Sequence, residues 1–396
     1  MKLLFLDQSG NLGGAELCLL DIVRPYRDRA LVGLFTDGLF RHLLEQHQIP
    51  VQVLSDRAIH VRKQSHWWQG LNSLGLLLPI VTQVVKLSHH YDLIYANTQK
   101  ALVIGALASV LSRRPLVYHL HDILSTDHFS ASNLRLAVTL ANQFAVRIIA
   151  TSEAARDAFI AAGGEAARTT VIYNGFDPAF YQRPVPVDPI RTQWGWPDRF
   201  VIGHFSRLSP WKGQHILLAA LARCPENVTA IFVGDALYGE QNYIQELHQQ
   251  VKDLRLQQRV HFLGFCSDVV ALMHSCDLIA HTSTAPEPLG RVVVEAMLCG
   301  RPVIAAQAGG MTELIKSGHT GWLVPPGDAI ALANTIIHCQ AHHEQAIAMA
   351  QVAKEQVSHR FHINTIHQQI AQLFHQISTH SGIESPLQQS PLELGG

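Results

Sequence analysis

Two segments of the chain share one pattern: a short apolar run, then a glycine-containing loop, then an amphipathic stretch. The first run is K-L-L-F-L at 2–6, which continues through Q-S-G-N-L-G-G at 8–14 into a helical pattern from Ala15. The same order recurs over 200–221, from F-V-I-G-H-F to Q-H-I-L-L-A-A-L. Because a strand–loop–helix opening is typical of βαβ units, the pattern predicts two α/β domains.

Further apolar runs predict strands that are covered on both faces. Such strands belong to parallel sheets, which helices flank on either side. The runs lie at 93–96, 116–119, 147–150, 230–233, 278–281 and 302–305 and alternate with helical patterns. The predicted fold class is therefore α/β with parallel sheets.

Proline and polarity divide the chain into five segments. A proline-rich stretch at 177–199 predicts an interdomain linker that continues neither sheet nor helix, between domains at 1–176 and 200–360. An amphipathic helix with one apolar stripe is predicted at 361–377. The polar, Ser/Gln/Pro/Gly-rich segment 378–396 is predicted to be a disordered tail.

Composition excludes several classes of protein. With 396 residues, 47% apolar and 15% charged, and a net charge of -1, the chain lacks the basic surface of a nucleic-acid-binding protein. Its six cysteines show no paired spacing and its 24 histidines include no H-E-x-x-H, so neither a disulfide framework nor a metal site is expected. Only four apolar residues lie between Lys2 and Asp7, and the apolar stretch at 71–87 is too interrupted to span a membrane, so we expect a cytoplasmic protein.

The segment P-E-P-L-G-R-V-V-V-E-A-M-L-C-G at 286–300 carries the most informative chemistry. It places Glu287 in a Pro/Gly turn and Glu295 on an apolar helix, where a carboxylate is costly without hydrogen-bond donors. An i,i+4 pair with Arg291 is one source of donors, and a ligand with neighbouring hydroxyls is another. Leu289 and Gly290 stand at the predicted helix N-terminus, where backbone amides favour an anion.

Two basic residues flank the loop of the second strand–loop–helix segment, at 200–221. Arg207 and Lys212 in R-L-S-P-W-K-G follow a strand and precede a helix, an arrangement suited to a diphosphate. Ordinary surface charge is the competing interpretation of either residue alone.

The first domain offers weaker signals. The loop with Gly13 and Gly14 lacks the G-x-G-x-x-G motif of a dinucleotide site. Its glycines are explained equally well by a tight turn and by close approach of a ligand to the backbone. In V-Y-H-L-H-D, His119 and His121 end a predicted strand, where open α/β sheets bind ligands. A buried structural role is the commoner fate of such a histidine.

Together these segments resemble the retaining family-four glycosyltransferases. The resemblance covers E-x7-E at 287–295, R-x4-K-G, the loop G-G-A-E and the turn G-H-T-G-W-L-V-P-P-G-D at 318–328. It implies the GT-B fold, in which two Rossmann-like domains face each other across a cleft. It also implies that a terminal helix crosses back onto the first domain.

The same resemblance implies roles for the individual residues. Glu295 binds the ribose of a nucleotide sugar, and Glu287 lies beside the transferred sugar. Arg207 and Lys212 clamp the diphosphate, and His121 rather than His119 contacts the sugar. The glycine loop lies near donor phosphate and acceptor.

We therefore expect transfer of a hexosyl or other glycosyl group, with retention, from a nucleotide diphosphate sugar to a glycan, lipid-linked or small-molecule acceptor. The resemblance alone suggests polysaccharide biosynthesis. The donor is a co-substrate and no cofactor is expected. Because no D-x-D occurs and the loop cations balance phosphate charge, no metal is expected. Nucleic acid is not an expected partner.

Three alternatives stay open or are disfavoured. A GT-B nucleotide-sugar epimerase and a catalytically silent binding subunit both fit the motifs, whereas the missing dinucleotide motif disfavours a dehydrogenase. Trp67 and Trp68 near basic residues are consistent with peripheral contact at the inner face of the membrane, although a packed helix is favoured. The base, sugar and acceptor stay open.

Overall fold

The computed structural model describes residues 1–55, 70–126, 129–236 and 240–380. The chain forms two compact units, one of Met1–Gly175 together with the chain from Ile363 onward and one of Phe176–His362. Each unit is built on its own parallel sheet, so the predicted fold class is confirmed. Trp67 and Trp68 lie outside the described residues.

The first unit contains a seven-stranded parallel sheet in the order β3-β2-β1-β4-β5-β6-β7. Its strands are β1 (Leu3–Asp7), β2 (Ala30–Leu34), β3 (Val51–Val53), β4 (Leu93–Ala96), β5 (Leu116–Leu120), β6 (Ala145–Ala150) and β7 (Thr169–Val171). Leu3 of β1 pairs with Ala30 and with Leu93, so the strand order reverses between β1 and β4. A crevice for ligands forms at such a reversal, at the carboxyl ends of the strands.

In the part of the first 175 residues that the structure describes, six helices cover this sheet. They are α1 (Gly14–Val23), α2 (Leu39–Gln46), α3 (Gly70–Ser88), α4 (Gln99–Ser112), α5 (Ala131–Phe144) and α6 (Glu153–Ala161). Successive side chains of β1 point to opposite faces. Leu4 and Leu6 therefore join one apolar cluster, and Leu3 and Phe5 join the other.

The second unit contains a six-stranded parallel sheet in the order β10-β9-β8-β11-β12-β13. Its strands are β8 (Phe200–Phe205), β9 (Val228–Val233), β10 (Val260–Gly264), β11 (Leu278–His281), β12 (Val303–Ala306) and β13 (Trp322–Val324). Here the strand order reverses between β8 and β11, whose residues Ile202 and Leu278 are in register.

Among the described residues of the second unit, nine helices flank the sheet. They are α7 (Pro178–Tyr181), α8 (Val187–Gln193), α9 (Gln214–Leu221), α10 (Gln241–Asp253), α11 (Val269–His274), α12 (Arg291–Leu298), α13 (Met311–Leu314), α14 (Ala329–Ala341) and α15 (His343–Arg360). None of the helices among the described residues, α3 included, is long and apolar enough to cross a membrane.

The prediction of a non-helical linker at 177–199 is wrong. Helices α7 and α8 lie there, because their prolines occupy the first turn, where the missing N–H has no intrahelical acceptor. Asp177 caps α7 by accepting from the amide of Ala179. Arg191 of α8 pairs with Asp277 at 2.7 Å, so this segment belongs to the second unit.

The last helix, α16 (Ile363–His380), packs on the first unit. Its apolar stripe joins the cluster that contains Leu3 and Phe5, with Ile366, Ile370 and Phe374 buried. Residues 378–380, predicted to begin a disordered tail, continue this helix because Ser378 is buried with the stripe. The rest of the predicted tail lies outside the described residues.

Candidate functional site

Glu287 lies at the strand-order reversal of the second unit, and three donors converge on its Oε1. Lys212 Nζ is 2.6 Å away and His281 Nε2 is 2.9 Å away, while the hydroxyl of Ser283 donates to the same oxygen. Lys212 ends the 3₁₀ turn after β8, and His281 ends β11. The two adjacent strands thus deliver the donors, and the turn before α12 delivers the carboxylate.

Glu287 is only 6% exposed, yet it is held as an anion. Burial alone raises the pKa of the Glu287 carboxyl, but His281 and Lys212 outweigh burial and hold that pKa well below its usual range. A carboxylate in this state cannot act as a general acid near neutral pH.

Two glycines fix the backbone of this turn. The Gly310 amide donates to the Glu287 carbonyl at 2.8 Å. Gly309 has φ +57, and a Cβ there would lie 2.3 Å from the same carbonyl oxygen. The close approach therefore requires glycine at 309. The backbone of Gly309 and Gly310 thus holds the Glu287 turn in place.

Glu295 is 7% exposed on α12, and the side chains of Tyr181 and Arg291 approach its carboxylate. The Tyr181 hydroxyl donates to it over 3.4 Å, and Arg291 Nε lies 3.6 Å from the same oxygen. The i,i+4 pair anticipated from the sequence is therefore present. Tyr181 was missed because it lies in the segment taken for a linker.

Trp211 lies between the two cations of the loop after β8. The Lys212 ammonium is 4.2 Å and the Arg207 guanidinium carbon 5.7 Å from its ring centroid. Such cation–π contacts restrict both side chains and leave their N–H groups able to donate. The loop thus presents two positive charges beside a buried carboxylate.

Helix α12 begins without a side-chain cap. Gly290 is its N-cap with φ +75, and Leu289 before it is buried. A Cβ on Gly290 would lie 2.1 Å from the Met311 methyl and would displace it, and φ +75 strains any side chain at this position. Amides of the first helical turn are the groups that bind anions at such an end.

In the first unit, polar residues follow three adjacent strands. Asn97 follows β4 and donates to Asp7 of β1 at 2.7 Å, while its Oδ1 lies 2.9 Å from Nε2 of His121, which follows β5. Because Asn97 already donates to Asp7, its carbonyl accepts and His121 Nε2 carries the proton. This chain fixes the ring of His121.

His119 has a different environment. It is 1% exposed, and its Nδ1 lies 2.7 Å from the Tyr95 hydroxyl. Burial and then His121 lower the pKa of His119 well below its usual range, so the ring is neutral. His121, by contrast, is only partly buried.

The glycine loop of the first unit surrounds a buried acid. Gly13 and Gly14 are exposed, and a Cβ on Gly13 would lie 2.7 Å from Oε2 of Glu16. Burial, with Asp7 adding repulsion, raises the pKa of Glu16 to about 8; burial also raises the pKa of Asp7 to about 6. Glu16 is thus a buried acid.

Both halves of the chain match glycosyltransferase families. Residues 13–175 match the family described as Glycosyl transferase 4-like domain, and residues 187–356 match Glycosyl transferases group 1.

Solved structures show similarity over nearly the whole chain. Anabaena Alr3699/HepE, in complex with UDP-glucose, is 58% identical over 95% of this chain and 100% of that chain, with a TM-score of 0.89. Its complex with UDP and glucose gives the same values. Sucrose-phosphate synthase from Thermosynechococcus elongatus, at 21% identity over 96% of this chain and 99% of that chain with a TM-score of 0.81, shows the fold alone.

Curated relatives match part of the chain. The D-inositol 3-phosphate glycosyltransferase of Mycobacterium marinum is 30% identical over 254 residues, which are 60% of this chain. The match spans about half of that relative's length, 53%. From the match to Alr3699/HepE and the family matches in both units, the chain belongs to the glycosyl transferases group 1 and has the GT-B fold.

Proposed function

We propose that the protein transfers glucose from UDP-glucose to a hydroxyl group of a glycan, lipid-linked or small-molecule acceptor, with retention at the anomeric carbon. The observation that carries the proposal is the buried Lys212–Glu287–His281 cluster beside Arg207 at the strand-order reversal of the second unit. The choice of donor rests on Alr3699/HepE, which is similar in sequence and was solved with UDP-glucose.

The diphosphate of the donor meets the loop after β8 and the start of α12. Arg207 offers a planar fork and Lys212 a point charge, and the amides near Leu289 and Gly290 add donors. These groups are ordered before the donor arrives, so they stabilise the charge that develops as UDP departs. No metal and no cofactor is needed for that charge balance in this proposal.

The nucleoside is recognised through Glu295. Its carboxylate accepts from the ribose hydroxyls, and Tyr181 and Arg291 orient it from α7 and α12. A carboxylate that already accepts one hydroxyl donor has lone pairs for others.

Glu287 positions the transferred sugar and does not attack it. Its Oε1 is engaged by Lys212, His281 and Ser283, and these donors reduce the nucleophilicity of the carboxylate. A double displacement of the kind used by retaining glycosidases needs a carboxylate able to attack. Departure of UDP and attack of the acceptor on the same face of the sugar is the mechanism that suits this environment.

The first unit supplies contacts for the sugar and the acceptor. The Asp7–Asn97–His121 chain offers the mixed donors and acceptors that a polyhydroxyl compound requires. Gly13 and Gly14 precede Ala15, whose carbonyl accepts from the Asn97 amide, and they let the donor approach the backbone closely. His121 contacts the transferred sugar. A role in polysaccharide assembly in the cytoplasm, at or near the membrane, belongs to the same proposal.

Calorimetric titration of UDP-glucose tests the donor site. Arg207→Ala removes a charge-assisted contact to the diphosphate, which is worth about 1.5–3 kcal/mol, so we expect the Kd to rise about tenfold or more. Arg223→Ala, which removes an exposed arginine after α9, serves as the matched control and is expected to bind as the wild type does. Equal affinity of the two variants would contradict the assignment.

A further inference from the structure

Three potential metal ligands, from two separate parts of the sequence, lie close together in the first unit. Cys18 lies on α1, His119 on β5 and His121 just after β5. Each offers one ligand atom, and these atoms all lie within 4.8 Å of one another. Cys18 is 2% exposed, so the group is shielded from solvent on the thiol side.

His119 carries a buried polar atom that needs an explanation. Its Nδ1 lies 2.7 Å from the Tyr95 hydroxyl, whereas its Nε2 has no hydrogen-bond partner among the described residues. Such an orphaned atom in a residue 1% exposed is uncommon, because buried polar groups are nearly always paired. A neutral ring whose Nδ1 donates to Tyr95 presents the lone pair of Nε2 to the cluster.

Both rings are also held in the way that metal-binding histidines are held. A ligating histidine generally hydrogen-bonds through its other nitrogen, which fixes its tautomer and orientation. Tyr95 performs this task for His119, and Asn97, itself bonded to Asp7, performs it for His121. Nε2 of His119 is then the nitrogen of that ring that can coordinate, and one nitrogen of His121 lies in the same cluster.

We propose that Cys18, His119 and His121 form a binding site for a thiophilic divalent cation, with Zn²⁺ the best-suited ion. One thiolate and two imidazoles match zinc, whereas Mg²⁺ and Ca²⁺ take oxygen ligands. Three protein ligands leave a fourth position for water. Bonds of about 2.0–2.3 Å require the three atoms to draw together by about an ångström.

Occupation of this site has a consequence for catalysis. The metal takes a nitrogen of His121, the residue that contacts the transferred sugar, so bound zinc inhibits transfer. That consequence rests on the proposed function, whereas metal binding itself does not. The cysteine loses its proton to solvent on binding, because the thiolate is the ligand.

Cobalt(II), a spectroscopic substitute for zinc, tests the site directly in the full-length protein. We expect one equivalent to give a thiolate-to-cobalt charge-transfer band in the near ultraviolet, and one equivalent of zinc to abolish it. Cys18→Ser is expected to lose the band and to bind zinc at least tenfold more weakly. His119→Gln is expected to show the same loss of affinity, and unchanged thermal melting of the metal-free variants establishes that both are folded.

Cys266→Ser is the matched control, because Cys266 is a partly buried cysteine of the second unit. It is expected to retain the band and the zinc affinity of the wild type. A band or zinc affinity that survives Cys18→Ser would overturn the proposal, as would zinc binding by surface histidines only. UDP-glucose titration of the same preparations distinguishes this failure from failure of the donor site.

Discussion

At the scale of single residues, the convergence of three donors on one oxygen of Glu287 decides what that residue does. Lys212, His281 and Ser283 stabilise its charge and restrict its rotation. Removal of one member leaves the others buried with an incomplete set of partners, which is more costly than loss of a surface pair. The same side chains therefore contribute both to the stability of the folded protein and to the positioning of the sugar.

Glu287→Gln keeps the shape of the side chain and removes its charge. We expect kcat for sugar transfer to fall about 100-fold or more, comparable with removal of one preorganised electrostatic group from an active site. Glu344→Gln, at an exposed position of α15, is the control and is expected to keep wild-type activity. Initial-rate measurements of UDP release test this, and a fall of less than threefold would contradict the positioning role.

The same carboxylate makes stability depend on pH. Its pKa is lower in the folded protein than the value of about 4.3 in an unfolded chain, so the folded state binds fewer protons. The stabilisation is present above about pH 4.3 and is lost as pH falls toward the folded pKa. Urea unfolding should therefore show a wild-type advantage over Glu287→Gln that shrinks below pH 4.3; an advantage constant from pH 7 to 3.5 would refute this origin.

At the scale of elements, backbone geometry places the Glu287 turn against the turn at Gly309. Gly309→Ala adds a Cβ 2.3 Å from the Glu287 carbonyl oxygen, in addition to the strain at φ +57. Gly264→Ala is a matched control, because Gly264 has φ +68 and nothing within 4 Å of an added Cβ.

We expect the control to lose about 1 kcal/mol of unfolding free energy through backbone strain alone. Gly309→Ala should lose more and should also weaken UDP-glucose binding, because its clash displaces the Glu287 turn. Chemical unfolding and calorimetry measure the two effects. Equal stability losses and equal donor affinities in the two variants would show that the close approach is unimportant.

Sequence patterns predicted most of this architecture for identifiable reasons. Apolar runs identify buried strands because both faces of a parallel sheet are covered, and β4, β9 and β11 were located in this way. Helix α7 was missed because its proline suggested a break, and Tyr181 was missed with it. His281 and Ser283 had a recoverable signal, since they follow the apolar residues of a predicted strand. No sequence signal indicated that Cys18 lies near two histidines, because that proximity depends on packing between distant segments.

At the scale of the whole molecule, α16, which follows the second unit in sequence, belongs to the unit that contains Met1. Helix α16 contributes Ile366, Ile370 and Phe374 to the core formed around β1 of the first unit. The stability of the first unit therefore depends on residues that follow the second unit in sequence.

Ile370→Ala tests that dependence, since Ile370 is 1% exposed. We expect a loss of about 2–5 kcal/mol of unfolding free energy from the cavity left in the core. Gln369→Ala, exposed on the same helix, is expected to change it by less than about 0.5 kcal/mol. Equal unfolding midpoints would contradict the packing of α16 on the first unit.

Sugar transfer from UDP-glucose with retention fixes the anomeric configuration of the product, and that configuration is the decisive measurement. The protein is incubated with UDP-glucose and a panel of polyhydroxyl acceptors, and proton NMR follows both UDP-glucose and the new anomeric signal. We expect UDP release coupled to an α-glycoside in the wild type and strongly reduced turnover in Glu287→Gln. A β-glycoside, an epimerised nucleotide sugar, or bound UDP-glucose that is never turned over with any acceptor would contradict the account.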